Sequence, residues 1–173
     1  MSKDIDIVIY GATGFTGQLC VKYFQSLDLD IKWAIAGRNL GKLENVASKF
    51  SSNVEILVAD SDDKKALKDI CSRSKVVLST AGPFHRYGSK LVATCIENDT
   101  HYVDITGENF WVKGLIEKHH KEAARKGIRI IPSCGFDSIP SDIGTFFAVR
   151  STNKPVKRVC LLYTSDAADD NWV

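Results

Sequence analysis

Cysteine is sparse and scattered in this 173-residue chain: five residues (Cys20, Cys71, Cys95, Cys134, Cys160), an odd number, with no C-x-x-C pair. That pattern excludes a disulfide framework and a zinc ribbon, and it suits reduced thiols in a reducing compartment. Long apolar runs are missing too. No stretch approaches the length that spans a bilayer, and Met1-Ser-Lys-Asp4 leads straight into a strand without an apolar signal region. A soluble, unsecreted, intracellular chain is expected, cytosolic by composition. Four prolines form no linker, and neither repeats nor low-complexity tracts break the pattern. Charge of one sign is not concentrated either. The 23 Lys and Arg residues are interleaved with 21 acidic ones for a net charge of +2, as in Lys64-Lys65-Ala-Leu-Lys68-Asp69. These are solvated helix faces, and no nucleic-acid partner is expected.

What is present is an ordinary globular composition, 44% hydrophobic and 25% charged, in a chain long enough for one good core. Apolar runs of strand length alternate with amphipathic runs of helix length. Strands are expected at Ile5–Tyr10, Lys32–Ala36, Val54–Ala59, Lys75–Ser79, Tyr102–Ile105 and Ile128–Pro132. Helices are expected at Phe15–Leu27, Leu40–Phe50, Asp63–Ser72, Tyr87–Asn98, Asn109–Lys126 and Ser141–Arg150. Six β-α pairs predict an α/β chain, a doubly wound parallel sheet of the Rossmann type with helices on both faces. The fold domain is expected over 1–155, with a strand of a second, missing domain beginning at 156–159. The string Cys160-Leu-Leu-Tyr-Thr-Ser-Asp-Ala-Ala-Asp-Asp170 resembles the conceptual translation of a transposase-based sequencing adapter. Native sequence is therefore expected to end near Val159, with 160–173 non-native; a genuine acidic tail is the alternative. A sheet lacking its partner domain predicts an exposed apolar patch near Ser141–Arg150.

The first strand breaks directly into Gly11-Ala12-Thr13-Gly14-Phe15-Thr16-Gly17. Glycines at this spacing, between a β-branched strand and a helical stripe of Leu19, Cys20, Tyr23, Phe24 and Leu27, are the first turn of a dinucleotide-binding unit. Gly11 permits the tight turn, Gly14 lets backbone N–H groups approach a pyrophosphate, and Gly17 lets the helix lie close on the strand. The diphosphate would sit at the helix N-terminus, where N–H donors and the helix dipole favour negative charge.

The second strand ends Ala36-Gly37-Arg38-Asn39, where the adenine ribose is read. A cation there accepts a 2′-phosphate, so Arg38 favours NADP over NAD; capping a loop is its structural alternative. Asp60, after the third strand, either accepts from the adenine amino group or caps the next helix. The small residues Ala81-Gly82-Pro83 after the fourth strand suit a backbone passing close to the cofactor, or a routine turn. Asp104 and Glu108, and Asp137 further on, are crevice residues of unknown role that equally cap helices. Catalytic residues are not identified. No Tyr-x-x-x-Lys dyad occurs, since Tyr87-Gly-Ser-Lys90 has the wrong spacing, and P-loop, hydrolase-elbow and zinc-protease signatures are absent. His119 and His120 read as surface or half-buried histidines on a helix, Cys134 as a packed thiol, and no metal is expected.

Taken together, GATGFTG, AGRN, TAGPF followed by Arg86-Tyr-Gly88, HYVDITGE and CGFDSIPSD resemble the saccharopine dehydrogenase-like oxidoreductase family, including its trans-acting enoyl reductase branch. The resemblance runs from Ile5 to about Val159. It implies an NAD(P)-binding Rossmann domain, with a second domain supplying most of the substrate pocket in members more than twice this length. It implies that Gly11, Thr13, Gly14, Phe15, Thr16, Gly17, Arg38, Asn39 and Ala81 to Pro83 surround the cofactor. It also implies an oxidoreductase, and association of animal members with lipid droplets, mitochondria, other membranes and glycolipid metabolism. Expected partners are a small-molecule or lipid substrate and, for a full-length chain, a second copy in a homodimer. A non-catalytic dinucleotide-binding module or redox sensor is the alternative function.

Overall fold

The computed structural model describes residues 3–27, 29–50 and 53–161. The chain divides into two compact units, Met1–Cys134 and Gly135–Val173. In the first, strands and helices alternate: β1 (Ile5–Tyr10), α1 (Phe15–Ser26), β2 (Trp33–Gly37), α2 (Leu40–Phe50), β3 (Glu55–Val58), α3 (Lys64–Arg73), β4 (Ser74–Ser79), α4 (Phe84–Glu97), β5 (His101–Asp104), α5 (Asn109–Lys126) and β6 (Ile130–Ile131). All pairings are parallel, in the order β3-β2-β1-β4-β5-β6. This is the doubly wound α/β sheet read from the sequence.

Successive residues of β1 point to opposite faces and so build two cores. Ile9 joins Val21 of α1, Ile35, and Leu43 and Val46 of α2 on one face. Val8 and Tyr10 join Leu67 and Ile70 of α3 and Leu91, Val92 and Ile96 of α4 on the other. With helices on both sides, β1 has no solvent face, which is why its sequence is apolar almost throughout. The chain runs outward from β1 to β3, then crosses back to β4. The crevice beyond the carboxyl ends of β1 and β4 is therefore the topological switch point.

Most boundaries fall within a residue or two of expectation, and three departures carry a lesson. Helix α4 starts at Phe84, three residues before the expected Tyr87, because a carboxylate distant in sequence caps it. The edge strand β6 is only Ile130–Ile131, paired to Tyr102 and Val103 on its single neighbour. Val156–Val159 forms no strand: it has no ladder partner among the described residues, and an unpaired strand has nowhere to place its backbone hydrogen bonds. The expected non-native tail lies outside the described residues from 162 onward.

The second unit contains α6 (Ile139–Arg150), started by Pro140 in its first turn and with no buried residue. Ile143, Phe146 and Phe147 are exposed, the two phenylalanine rings meet edge-on, and Arg150 lies over Phe146. The expected apolar patch is thus on this helix.

Candidate functional site

The turn after β1 is tied to both neighbouring strand ends. Gly11 and Ala12 donate their N–H groups to Ala36 O at 2.9 and 3.2 Å, and Thr80 N donates to Tyr10 O at 2.9 Å. Thr80 Oγ1 also donates toward Tyr10 O and Gly11 O. Gly11 adopts a φ of 85°, and a Cβ there would lie 2.8 Å from Ala81 N. Only glycine fits both demands. Gly17 is required for a different reason: its Cβ would stand 2.2 Å from Gly11 O, so the helix could not close on the turn. Gly14 is less crowded, with Gly11 O at 3.4 Å as its nearest neighbour. It is the N-cap of α1. No side chain caps that terminus and its first turn carries no acid, so the leading N–H groups remain suited to an anion.

Strand ends β1, β2, β3 and β4 enclose a cleft of about 270 Å³. Among residues read from the sequence, Gly11, Thr13, Gly14, Arg38, Ala81 and Gly82 line it. Arg38 is exposed at its rim. The others stand nearby in different roles. Ala12 is fully buried and contributes backbone only; Phe15 is 83% exposed at the start of α1. Thr16 follows in the same turn, and Gly17 is buried against Gly11 and Ala12 of the turn. Asn39 Oδ1 accepts Lys42 N–H at 2.9 Å and caps α2; Asp60 Oδ1 accepts Asp62 N–H in its own turn; Pro83 is the N-cap of α4.

Tyr10, Gly37, Ser61, Thr80 and Tyr87 also line the cleft. The first four sit within three residues of a strand end, so scanning every strand terminus, beyond the motifs alone, would have found them. The Tyr10 hydroxyl donates to Ala59 O at 3.3 Å. Burial, reinforced by the Asp60 charge, pushes its pKa well up and keeps it a neutral donor.

The acids beyond β5 are occupied. Asp104 is almost fully buried: Oδ1 accepts N–H bonds from Thr106 and Ser133 at 3.0 Å each, and Oδ2 accepts from the Tyr102 hydroxyl at 2.9 Å. Burial raises its pKa, against the lowering effect of these donors. Glu108 caps α4, accepting from Phe84 N at 2.8 Å and His85 N at 2.9 Å, with His85 Nδ1 2.6 Å from Oε2. Burial pushes its pKa up, but the His85 and Phe84 donors outweigh it and hold the carboxyl below its ordinary range. Asp104 ties the end of β5 to the loops at Thr106 and Ser133, and Glu108 ties the start of α5 to the start of α4. Asp137 is exposed in the second unit.

A separate apolar groove of about 320 Å³ lies between α5 and β6, lined by Leu115, Ile116, Ile130 and Ile131, with half-buried His119 at its side. Burial, then Lys118, lowers the His119 pKa. No metal-holding cluster occurs among the described residues, and all five cysteines are free; Cys71 and Cys95 are buried with sulfurs 3.6 Å apart. No described helix is long and apolar enough to cross a membrane.

Known proteins resemble this chain in sequence and in fold. Residues 7–131 match the family model described as the saccharopine dehydrogenase NADP binding domain. The chain is 42% identical over 151 residues to a trans-acting enoyl reductase of Mycobacterium leprae, covering 86% of this chain and 36% of that protein. The trans-acting enoyl reductase of Mycobacterium tuberculosis H37Rv is 40% identical with the same coverage. The chain therefore spans about a third of the length of the curated relatives it matches. Saccharopine dehydrogenase (L-Glu forming) from Saccharomyces cerevisiae, in its apo form, has the same fold with a TM-score of 0.71 at 20% identity, over 84% of this chain and 31% of that one. On the family match over residues 7–131, this chain belongs to the saccharopine dehydrogenase NADP-binding domain family.

Proposed function

We propose that this chain is the cofactor-holding part of an NADP-dependent oxidoreductase. The observation that carries the proposal is a single cleft joining the Gly11–Gly14 turn, Arg38 and the small pair Ala81-Gly82. The residues present fit the cofactor. Side-chain-free Gly14 and the uncapped start of α1 suit a pyrophosphate, Arg38 suits a 2′-phosphate, and Ala81-Gly82 leave room for the ribose and nicotinamide. Thr13, Phe15 and Thr16 belong to the same phosphate turn. Asn39 and Asp60 bound the adenine end, Ala12 and Gly17 seat the turn on the sheet, and Pro83 starts the helix beside it.

When bound, NADP supplies the hydride chemistry. The chain's own residues bind, orient and neutralise charge. The full-length reaction we propose is hydride transfer between nicotinamide and a C=C, C=N or C=O bond of a lipid-type or imino substrate. The names of the mycobacterial relatives support the enoyl choice. One observation favours a binding module or redox sensor as the second reading: the acids beyond β5 are engaged by backbone N–H groups and a tyrosine hydroxyl. NADPH oxidation by a chain extended to full family length, offered enoyl lipids and imino acids, tests the proposal. Turnover supports it; tight NADPH binding with no turnover on any of them favours the sensor.

A further inference from the structure

Tyr87 is outside the glycine turn and too close to Lys90 in sequence for a short-chain dehydrogenase dyad, yet it lines the same cleft. It stands at the first turn of α4, half-buried. Contacts on two faces of that helix fix where it looks. Inward, Phe84 packs on Trp111 with ring centroids 5.9 Å apart, and a Cβ on Gly88 would lie 2.6 Å from Trp111 Cζ2. The Trp111 indole N–H donates to Ser89 Oγ at 2.9 Å, so the rotation of α4 about its axis is set. On another face, Lys90 pairs with Asp62, the neighbour of the cleft residue Ser61. Residues three apart share a helix face. Tyr87 therefore looks toward the β3–α3 loop, the end of the cleft that Arg38 flanks.

We infer that the Tyr87 ring is the stacking platform for the adenine of NADP(H), an inference that rests on the cofactor reading above. The adenine ribose of a dinucleotide fold is read at the end of β2, where Arg38 stands, so the base beyond it meets whatever flanks that corner. The flank is the aromatic ring of Tyr87, on the side of the cleft toward Ser61 and the β3–α3 loop. A base stacks on such a face without hydrogen bonds, and the contact is strong because both surfaces are flat and leave water together. The role belongs to the ring. The hydroxyl is not needed, which separates a platform from a proton donor.

The test is calorimetric titration of the 173-residue chain and its Tyr87→Ala, Tyr87→Leu and Tyr87→Phe variants with NADPH, with 2′,5′-ADP as the adenine half, and with nicotinamide mononucleotide as the other half. Y87A is expected to weaken NADPH and 2′,5′-ADP about ten- to a hundredfold, the usual worth of one stacked base. Y87F should bind as wild type, and nicotinamide mononucleotide should be indifferent to all three. Y87L keeps bulk without an aromatic face and carries the same expectation should Y87A fail to fold. Unchanged 2′,5′-ADP affinity in Y87A and Y87L, loss confined to nicotinamide mononucleotide, or a Y87F as weak as Y87A would each overturn the platform. A wild-type chain that binds neither NADPH nor 2′,5′-ADP overturns the cofactor reading as well.

Discussion

Arg38 leaves β2 as an exposed cation at the rim of the cleft, and in the proposed reading it meets the 2′-phosphate that distinguishes NADP from NAD. A charged hydrogen-bonded contact of this kind contributes about 1.5–3 kcal/mol. Arg38→Ala is therefore expected to weaken NADPH about ten- to a hundredfold while leaving NADH nearly unchanged, read by cofactor fluorescence titration. Glu108 makes a different kind of prediction, because its carboxylate works on the fold. Removing it in Glu108→Ala should cost about 1–2 kcal/mol, the usual range for a lost helix cap, and should speed amide exchange at Phe84 and His85. The pH sign follows from the direction of its shift. Since folding lowers the Glu108 pKa, its contribution is present above the ordinary glutamate range and is lost as pH falls through the lowered value. Chemical denaturation across acid pH should thus give wild type a steeper loss than Glu108→Gln, whose side chain does not titrate.

At the scale of elements, the three glycines after β1 divide into fold and site. Gly17→Ala would drive a methyl to 2.2 Å from Gly11 O, a backbone atom that cannot swing away. It is expected to cost more than about 3 kcal/mol in a urea melt, beyond ordinary overpacking. Gly14→Ala meets nothing closer than 3.4 Å and should keep the melt while losing cofactor affinity. The glycine turn, its helix and the alternation of strands with helices were legible because those signals are local: a run of apolar residues, a spacing, a break. Arg38 was legible from its place after β2. Capping was one of the two readings open for Glu108, but the helix it caps was not legible, because its partners lie 23 and 24 residues back, on an element that meets it only in the folded sheet. That capping also moved the start of α4. Ser61 and Tyr87 were hidden for the same reason, since the cleft is made where ends of distant strands converge. Val156–Val159 shows the opposite failure: a strand-like composition without a neighbouring edge forms no strand.

For the whole molecule, an apolar helix face is left uncovered among the described residues. Helix α6 exposes Ile143, Phe146 and Phe147, and such a contiguous apolar surface binds hydrophobic dyes and promotes self-association. Replacing Phe146 and Phe147 together by Ser should lower dye fluorescence and raise the concentration at which the chain associates in sedimentation. The chain spans 36% of the mycobacterial relatives it matches. The cofactor contacts we propose, from the Gly11 turn to Arg38 and Ala81-Gly82, all lie within residues 7–131. The most direct test of the account is calorimetric titration of the 173-residue chain with NADPH and NADH side by side. One NADPH bound per chain, at least about tenfold tighter than NADH, is expected from the charged contact at Arg38. Equal affinities, a preference for NADH, or no binding of either would contradict it.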